Sequence, residues 1–162
     1  MRAAGLNFRD TLVALDAYPG AAPPFGAECA GVVEVVGSGV GDFKSGDRVV
    51  ALAGSPLASH ATVRADLSRV LPPGVSFAVA ASTPVAYLTA DIGLRRLGGM
   101  RAGDRVLIHA ATGGVGLAAL ALAQRAGAEV FATAGTPEKR AYLRSLGVAH
   151  VFDSRSLEFA DQ

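Results

Sequence analysis

The spacing of hydrophobic and polar positions changes once along this chain. Up to about residue 76 the apolar residues come in short runs broken by glycine and proline. Ala30 to Val36 is rich in valine and stops at Gly37-Ser38-Gly39, a turn signal. Asp47 to Leu52, His60 to Val63 and Ser68 to Leu71 are further short strands by the same pattern. They are separated by Gly46, Gly54-Ser55-Pro56 and Pro72-Pro73-Gly74. Short strands at this spacing predict a small barrel or sandwich.

After Pro73 the texture becomes helical. Alanine and leucine at helical spacing fill Phe77 to Leu97, where Pro84 kinks one helix or divides two, and Gly98-Gly99 closes the segment. From Arg105 the pattern alternates. Arg105 to Ala110 reads as strand, Val115 to Arg125 as helix, Val130 to Thr133 as strand, Pro137 to Leu146 as helix and Ala149 to Phe152 as strand. Gly127 stands where a helix C-cap is expected. Such alternation predicts a parallel α/β sheet with right-handed crossovers. It supplies one βαβαβ half, whereas a complete doubly wound dinucleotide fold has two. The expected organisation is therefore a partial β barrel over 1–76, followed over 77–162 by linker helices and the first half of a Rossmann sheet.

Composition narrows the class. The 162 residues are 51% hydrophobic and 18% charged, enough to bury a core. A net charge of +1 with no basic run argues against a nucleic-acid partner. Cys29 is the single cysteine, so an internal disulfide and a zinc ribbon are excluded. No apolar stretch is long enough to cross a bilayer, and Met1 to Leu6 lacks a signal-peptide layout. A soluble cytoplasmic protein without a membrane partner is the expectation.

The chemistry concentrates in one turn. Gly114-Val115-Gly116-Leu117-Ala118-Ala119 matches G-x-G-x-x-G/A, after the strand Val106-Leu107-Ile108 and at the head of an apolar helix. In that context Gly114 permits the tight turn, Gly116 lets the backbone approach a pyrophosphate, and Ala119 lets helix and strand pack closely. The helix N-terminus offers N–H groups and a positive dipole end to phosphate. The alternative is a strand-to-helix turn that binds nothing.

An NAD site carries an acid at the end of the second strand, for the ribose 2′-hydroxyl. Here the strand runs into Ala134-Gly135-Thr136-Pro137-Glu138-Lys139. Thr136 reads as an N-cap with Pro137 at the first helical position. Lys139, in the first turn, can meet a 2′-phosphate, and NADPH is favoured over NADH. Glu138 is a competing acid read as facing solvent. Arg155 is either a second cationic contact or simply an exposed arginine.

Several segments together resemble the medium-chain dehydrogenase/reductase superfamily, and within it the zinc-free quinone reductases and the enoylreductase domains of modular polyketide synthases. They are Ala4-Gly5-Leu6-Asn7-Phe8-Arg9-Asp10, Glu28-Cys29-Ala30-Gly31-Val32-Val33, Gly46-Asp47-Arg48-Val49, His109 to Gly116, and Gly135-Thr136 with Lys139. Asn7-Phe8-Arg9-Asp10 followed by Tyr18-Pro19-Gly20 is most similar to the polyketide synthase form. The resemblance implies a partial GroES-like barrel preceding the Rossmann half. It also implies NADPH-dependent reduction of a 2,3-enoyl thioester on an acyl carrier protein, or of a small enone or quinone, beside neighbouring synthase domains.

It further places Asn7 against cofactor or substrate, and Tyr18 as proton donor or orienter at the α-carbon, though Tyr18 can equally cap a turn before Pro19. It sets Gly113, Gly114, Val115, Gly116, Gly135, Thr136 and Lys139 on the cofactor. Thr89 falls near the nicotinamide carboxamide or is a buried helical threonine.

Two departures stand out. Where zinc alcohol dehydrogenases carry Gly-His-Glu, this chain has Gly26-Ala27-Glu28, and His60, His109 and His150 have no ligand spacing, so no zinc is expected. The pattern also reads as truncated at both ends, which would expose apolar edges. The 162 residues alone are expected to be poorly folded or inactive. Measurable NADPH oxidation with an enoyl thioester by this piece would overturn that. The remaining alternative is a non-catalytic NADPH-binding remnant.

Overall fold

The computed structural model describes residues 1–157 and divides the chain into two compact units, Met1–Val85 and a second starting at Ala86.

The first unit is an antiparallel sheet of β1 (Ala3–Gly5), β2 (Glu28–Val32), β3 (Arg48–Leu52) and β4 (Ser68–Val70), paired in that order. Helix α1 (Phe8–Ala14) lies between β1 and β2 in sequence, and α2 (Phe77–Ala81) follows β4. Ala30 stands opposite Ala3 on one side and Val50 on the other. Because side chains alternate across a strand, these three share a face with Leu71, Ala80 and Ala81 and form a small core under α2. Cys29, Gly31, Val49 and Ala51 turn to the opposite face and line a cleft of about 510 Å³. The Cys29 thiol is buried at 4% exposure, and its burial pushes its pKa up.

In the second unit α3 (Pro84–Asp91) runs into a π-helical turn over Ile92–Leu97. There the Gly98 N–H donates to the Gly93 carbonyl at 2.9 Å. Next come β5 (Arg105–Ile108), α4 (Gly114–Ala126), β6 (Glu129–Ala134), α5 (Pro137–Ser145) and β7 (His150–Asp153). The strands are parallel in the order β5-β6-β7. That is one half of a doubly wound sheet, as the alternation predicts. Its core is unusually small-grained. Ala118, Ala119, Leu120 and Ala123 of α4 meet Ile108, Val130, Ala132, Ala134 and Val151 of the strands, and Leu143 of α5 closes the cluster. Gly127 takes the left-handed conformation (φ 77°) that ends α4, and Thr136 caps α5 by accepting the Lys139 N–H.

The structure differs from the sequence pattern at four places. Residues 60–63 form no strand; His60, Ala61, Thr62 and Val63 instead line the rim of the cleft. A four-residue apolar pattern cannot itself supply a pairing edge, and here the sheet edges are taken by other segments. The strand expected over Ala30 to Val36 ends at Val32, beyond which the valines are no longer paired into the ladder. Strand β1 and helix α1 have no counterpart in the strand-and-turn pattern. The first unit also takes in α2 and extends to Val85, past the change of texture near residue 76.

Gly5 fixes how closely β1, β2 and α2 approach. A Cβ there would lie 2.5 Å from Glu28 Cγ and would also run into the Ala81 carbonyl. Gly5→Ala is expected to destabilise the protein by about 2 kcal/mol, the scale of overpacking a rigid core. Urea denaturation would show it as a lower midpoint with an unchanged slope.

Candidate functional site

In the first unit the side chains of interest gather around the start of α1. Asn7 is the N-cap residue, in extended conformation. Its backbone N–H donates to Asp10 Oδ2 at 2.8 Å, the reciprocal half of a capping box. Its side chain turns elsewhere, with Nδ2 donating to Glu28 Oε1 at 2.9 Å. The other Glu28 oxygen, Oε2, accepts the Val85 N–H at 2.8 Å. Glu28 is only 2% exposed, so both oxygens are spent on protein donors in a buried place.

Asp10 and Arg9 do a second job. Asp10 Oδ1 accepts the Gly26 N–H at 2.8 Å, and Arg9 Nη2 donates to the Gly26 carbonyl at 2.6 Å. A longer bond runs from Arg9 to the Pro24 carbonyl, at 3.4 Å. Together they pin the end of the loop that carries Tyr18 onto the first turn of α1. Tyr18 itself is half-buried, and no hydrogen bond joins it to Asn7 among the described residues.

In the second unit the turn between β5 and α4 has the expected context but divides the labour of its glycines differently. Ala110, not a glycine, carries the left-handed backbone (φ 48°). A Cβ on Gly116 would lie 2.5 Å from the Ala110 carbonyl oxygen and 2.7 Å from Ala111 Cα. Gly116 therefore seats the helix against the turn rather than clearing a path for a ligand. The open side is at Gly114, where nothing lies within 4 Å of a Cβ. Gly113 caps α4 without a side-chain partner, and no acid stands in the first turn. The positive end of the dipole is left uncompensated beside exposed Gly113, Gly114 and Val115.

At the end of β6 stands Ala134, 1% exposed, where an acid would meet a 2′-hydroxyl. Beyond it the guanidinium of Arg155 folds back over Gly135. A Cβ on Gly135 would come 3.0 Å from Arg155 Nε. Lys139 is exposed in the first turn of α5, while its neighbour Arg140 is committed to the Ala134 carbonyl and to Asp153 Oδ2, both at 3.0 Å. Glu138 faces solvent, yet its carboxyl is held below the ordinary value by its own backbone N–H and by the Thr136 hydroxyl. It thus occupies part of the α5 N-terminus. Thr89 is exposed on α3, so the reading of it as a buried helical threonine is corrected.

The histidines engage other partners. His60 Nε2 meets Glu34 at 2.9 Å, His109 Nδ1 meets Thr133 at 3.1 Å and His150 Nε2 meets Glu129 at 3.0 Å. Among the described residues no three His, Cys, Asp or Glu side chains converge to hold a metal ion. No helix among them is long and apolar enough to cross a membrane.

Residues brought together without being singled out by the sequence are Glu28, Asp10 and Arg9. The signal for Asp10 was present, since Asn7 and Asp10 have capping-box spacing. Glu28 lies far from Asn7 in sequence and carried no such mark.

Burial would raise the Asp10 carboxyl, but N–H groups of Gly26 and Asn7, with Arg9, outweigh it and hold the pKa below the ordinary 3.8. A lowered folded-state value contributes stability that is present above the unfolded value and is lost as pH falls through the folded one. Asp10→Asn, which turns an amide N–H toward one of these donors, is expected to cost about 1–3 kcal/mol near neutral pH. Urea melts carried down to about pH 3 should show wild type and variant converging as the Asp10 carboxylate becomes protonated.

Comparison with known proteins follows the same division. Residues 1–89 match the family described as "Alcohol dehydrogenase GroES-like domain", and residues 114–162 the family described as "Zinc-binding dehydrogenase". The described residues hold no donor set that fits the zinc in that second description. The chain is 50% identical over 166 residues to the phthioceranic/hydroxyphthioceranic acid synthase of Mycobacterium tuberculosis, covering 100% of this chain and 8% of that protein. Among solved structures, the CurK enoyl reductase superposes with a TM-score of 0.89 at 43% identity, covering 98% of this chain and 51% of that one. The Escherichia coli quinone oxidoreductase complexed with NADPH gives 0.84 at 36% identity, covering 99% and 50%. The chain thus spans about half the length of those two structures and a small part of the synthase.

Proposed function

Given that the chain belongs to the alcohol dehydrogenase GroES-like domain family, we propose that it serves the NADPH-dependent, zinc-free reduction of the 2,3 double bond of an enoyl thioester. The observation that carries this reading is the cation-lined, acid-free end of β6, where Arg155 lies over Gly135 and Lys139 stands free in the first turn of α5. The uncapped N-terminus of α4 adds a place for the pyrophosphate. The likeness to an enoyl reductase and to a polyketide-type synthase supports the substrate class.

Bound NADPH supplies a hydride to the β-carbon of the enoyl group, and the resulting enolate takes a proton at the α-carbon. The chain's own residues do the rest. Backbone N–H groups of Gly114, Val115 and Gly116 receive the pyrophosphate, and the lack of a side chain at Gly114 keeps that approach open. Lys139 and Arg155 receive the 2′-phosphate, with Gly135 and Thr136 shaping the turn between them. Val115 and Thr89, both exposed, offer surface to the ligand. Asn7 offers its amide at the reacting end, and Tyr18 its phenol as proton donor or orienter. Ala27, which cannot ligate a metal, fits a reaction in which thioester and cofactor provide the activation.

A second reading, reduction of a small quinone or enone, draws support from the likeness to the quinone oxidoreductase. Turnover of an enoyl thioester against a quinone under equal NADPH decides between them. The acyl carrier protein and adjoining synthase domains belong to the first reading only.

Removing either cation should weaken NADPH selectively. Lys139→Ala and Arg155→Ala are each expected to raise the NADPH Kd about tenfold, the scale of one charge-assisted contact. The NADH Kd should stay within about twofold. A fluorescence titration with both cofactors measures this, and equal losses for NADH would overturn the 2′-phosphate assignment.

A further inference from the structure

We propose that Glu28 is a positioning residue that sets which way the Asn7 amide faces, so that Asn7 presents its carbonyl oxygen to a hydrogen-bond donor on the ligand. The geometry rests on contacts within the first unit. The identity of the ligand rests on the reductase reading above.

Three donors and acceptors close the argument. The Val85 backbone N–H can only donate, and it takes Glu28 Oε2 at 2.8 Å. The remaining carboxylate oxygen, Oε1, faces the Asn7 side chain at 2.9 Å and is likewise an acceptor. Only the NH2 end of an amide can satisfy it. One Asn7 N–H is therefore consumed inward, and Oδ1 is turned away from Glu28. An amide free to flip could present either end. This one is held by a carboxylate that is 2% exposed and cannot move aside. Gly5 presses on the same side chain, since a Cβ there would lie 2.5 Å from Glu28 Cγ and from Oε1. The backbone of Asn7 is fixed independently through Asp10 Oδ2, so the side-chain torsion is the freedom left for Glu28 to set.

Glu28→Gln tests this while keeping shape. Its carbonyl oxygen can still accept the Val85 N–H, which leaves its NH2 facing residue 7. Asn7 must then flip to answer with Oδ1, and its NH2 turns toward the ligand donor. Asn7→Asp in the Glu28→Gln background restores an inward acceptor and an outward one. All variants are measured in the native polypeptide, with NADPH and an enoyl thioester, beside thermal melts.

Glu28→Gln is expected to lose about tenfold or more in kcat/KM, the scale of an unmade hydrogen bond to a buried donor, with a melting temperature within a few degrees of wild type. The Asn7→Asp/Glu28→Gln double variant should recover most of that loss. Asn7→Asp alone sets two carboxylates against each other and should lose activity and stability. Where the loss falls identifies the ligand group: a raised KM for NADPH points to the cofactor, a raised KM for the thioester to the substrate. A purely structural Glu28 would give additive losses, with the double variant worse than either single one. Additive losses, or a fully active Glu28→Gln, overturn the proposal while leaving the reductase reading intact. A wild-type protein inactive with NADPH and enoyl thioester overturns both.

Discussion

Both units are organised around crossings where a side chain does not fit. At Gly5 the strand β1 passes against Glu28 and the end of α2, and at Gly116 the first turn of α4 settles onto the backbone of Ala110 and Ala111. Close approach of this kind exchanges side-chain bulk for position. It lets a buried carboxylate reach donors from two different helices, and it lets a helix N-terminus stand directly over the end of a strand. The alanines of α4 continue the same device along the helix, bringing it near enough to β5 and β6 for small residues to fill the core.

Once backbone positions are fixed this tightly, buried charge becomes usable. Asp10 and Glu28 are both nearly inaccessible, and each has its oxygens taken up by N–H donors instead of by water. Asp10 spends them on tying a loop to α1, and Glu28 on orienting an amide. Near the start of α5 the logic is reversed. Arg140 is fastened to Ala134 and Asp153, freeing the neighbouring Lys139 and the loop residue Arg155 from any scaffolding duty. Adjacent cations thus differ in role because of what the strand ends offer them, and their residue type alone does not distinguish them.

The second unit was legible nearly element by element, because alternation of strand and helix is a long-range periodic signal with clear punctuation at Gly127, Thr136 and Pro137. The first unit was legible only in part. Helix α1 is short and its outward side is apolar, with Phe8 76% exposed, so it shows no amphipathic stripe. The three residues of β1 are too few to carry a period. Val33 to Val36 looks like strand because β-branched residues favour extended backbone, yet a strand also needs a partner, and pairing partners are non-local. At the site, the glycine turn and the cations after β6 lay in sequence order and could be read. The Asn7–Glu28 pairing could not, since it joins residues 21 apart through a fold that the local pattern does not encode. The roles of Gly114 and Gly116 were exchanged for the same reason: which glycine faces open space depends on the backbone of Ala110.

Cys29 gives the molecule a built-in reporter. It is the single thiol of the chain, it sits in β2 between Glu28 and Ala30, and burial both shields it and keeps it protonated. Its chemistry is silent while the central strand of the first sheet is in place. Labelling by a thiol reagent then measures how often that strand opens, one signal per polypeptide, without any engineered probe.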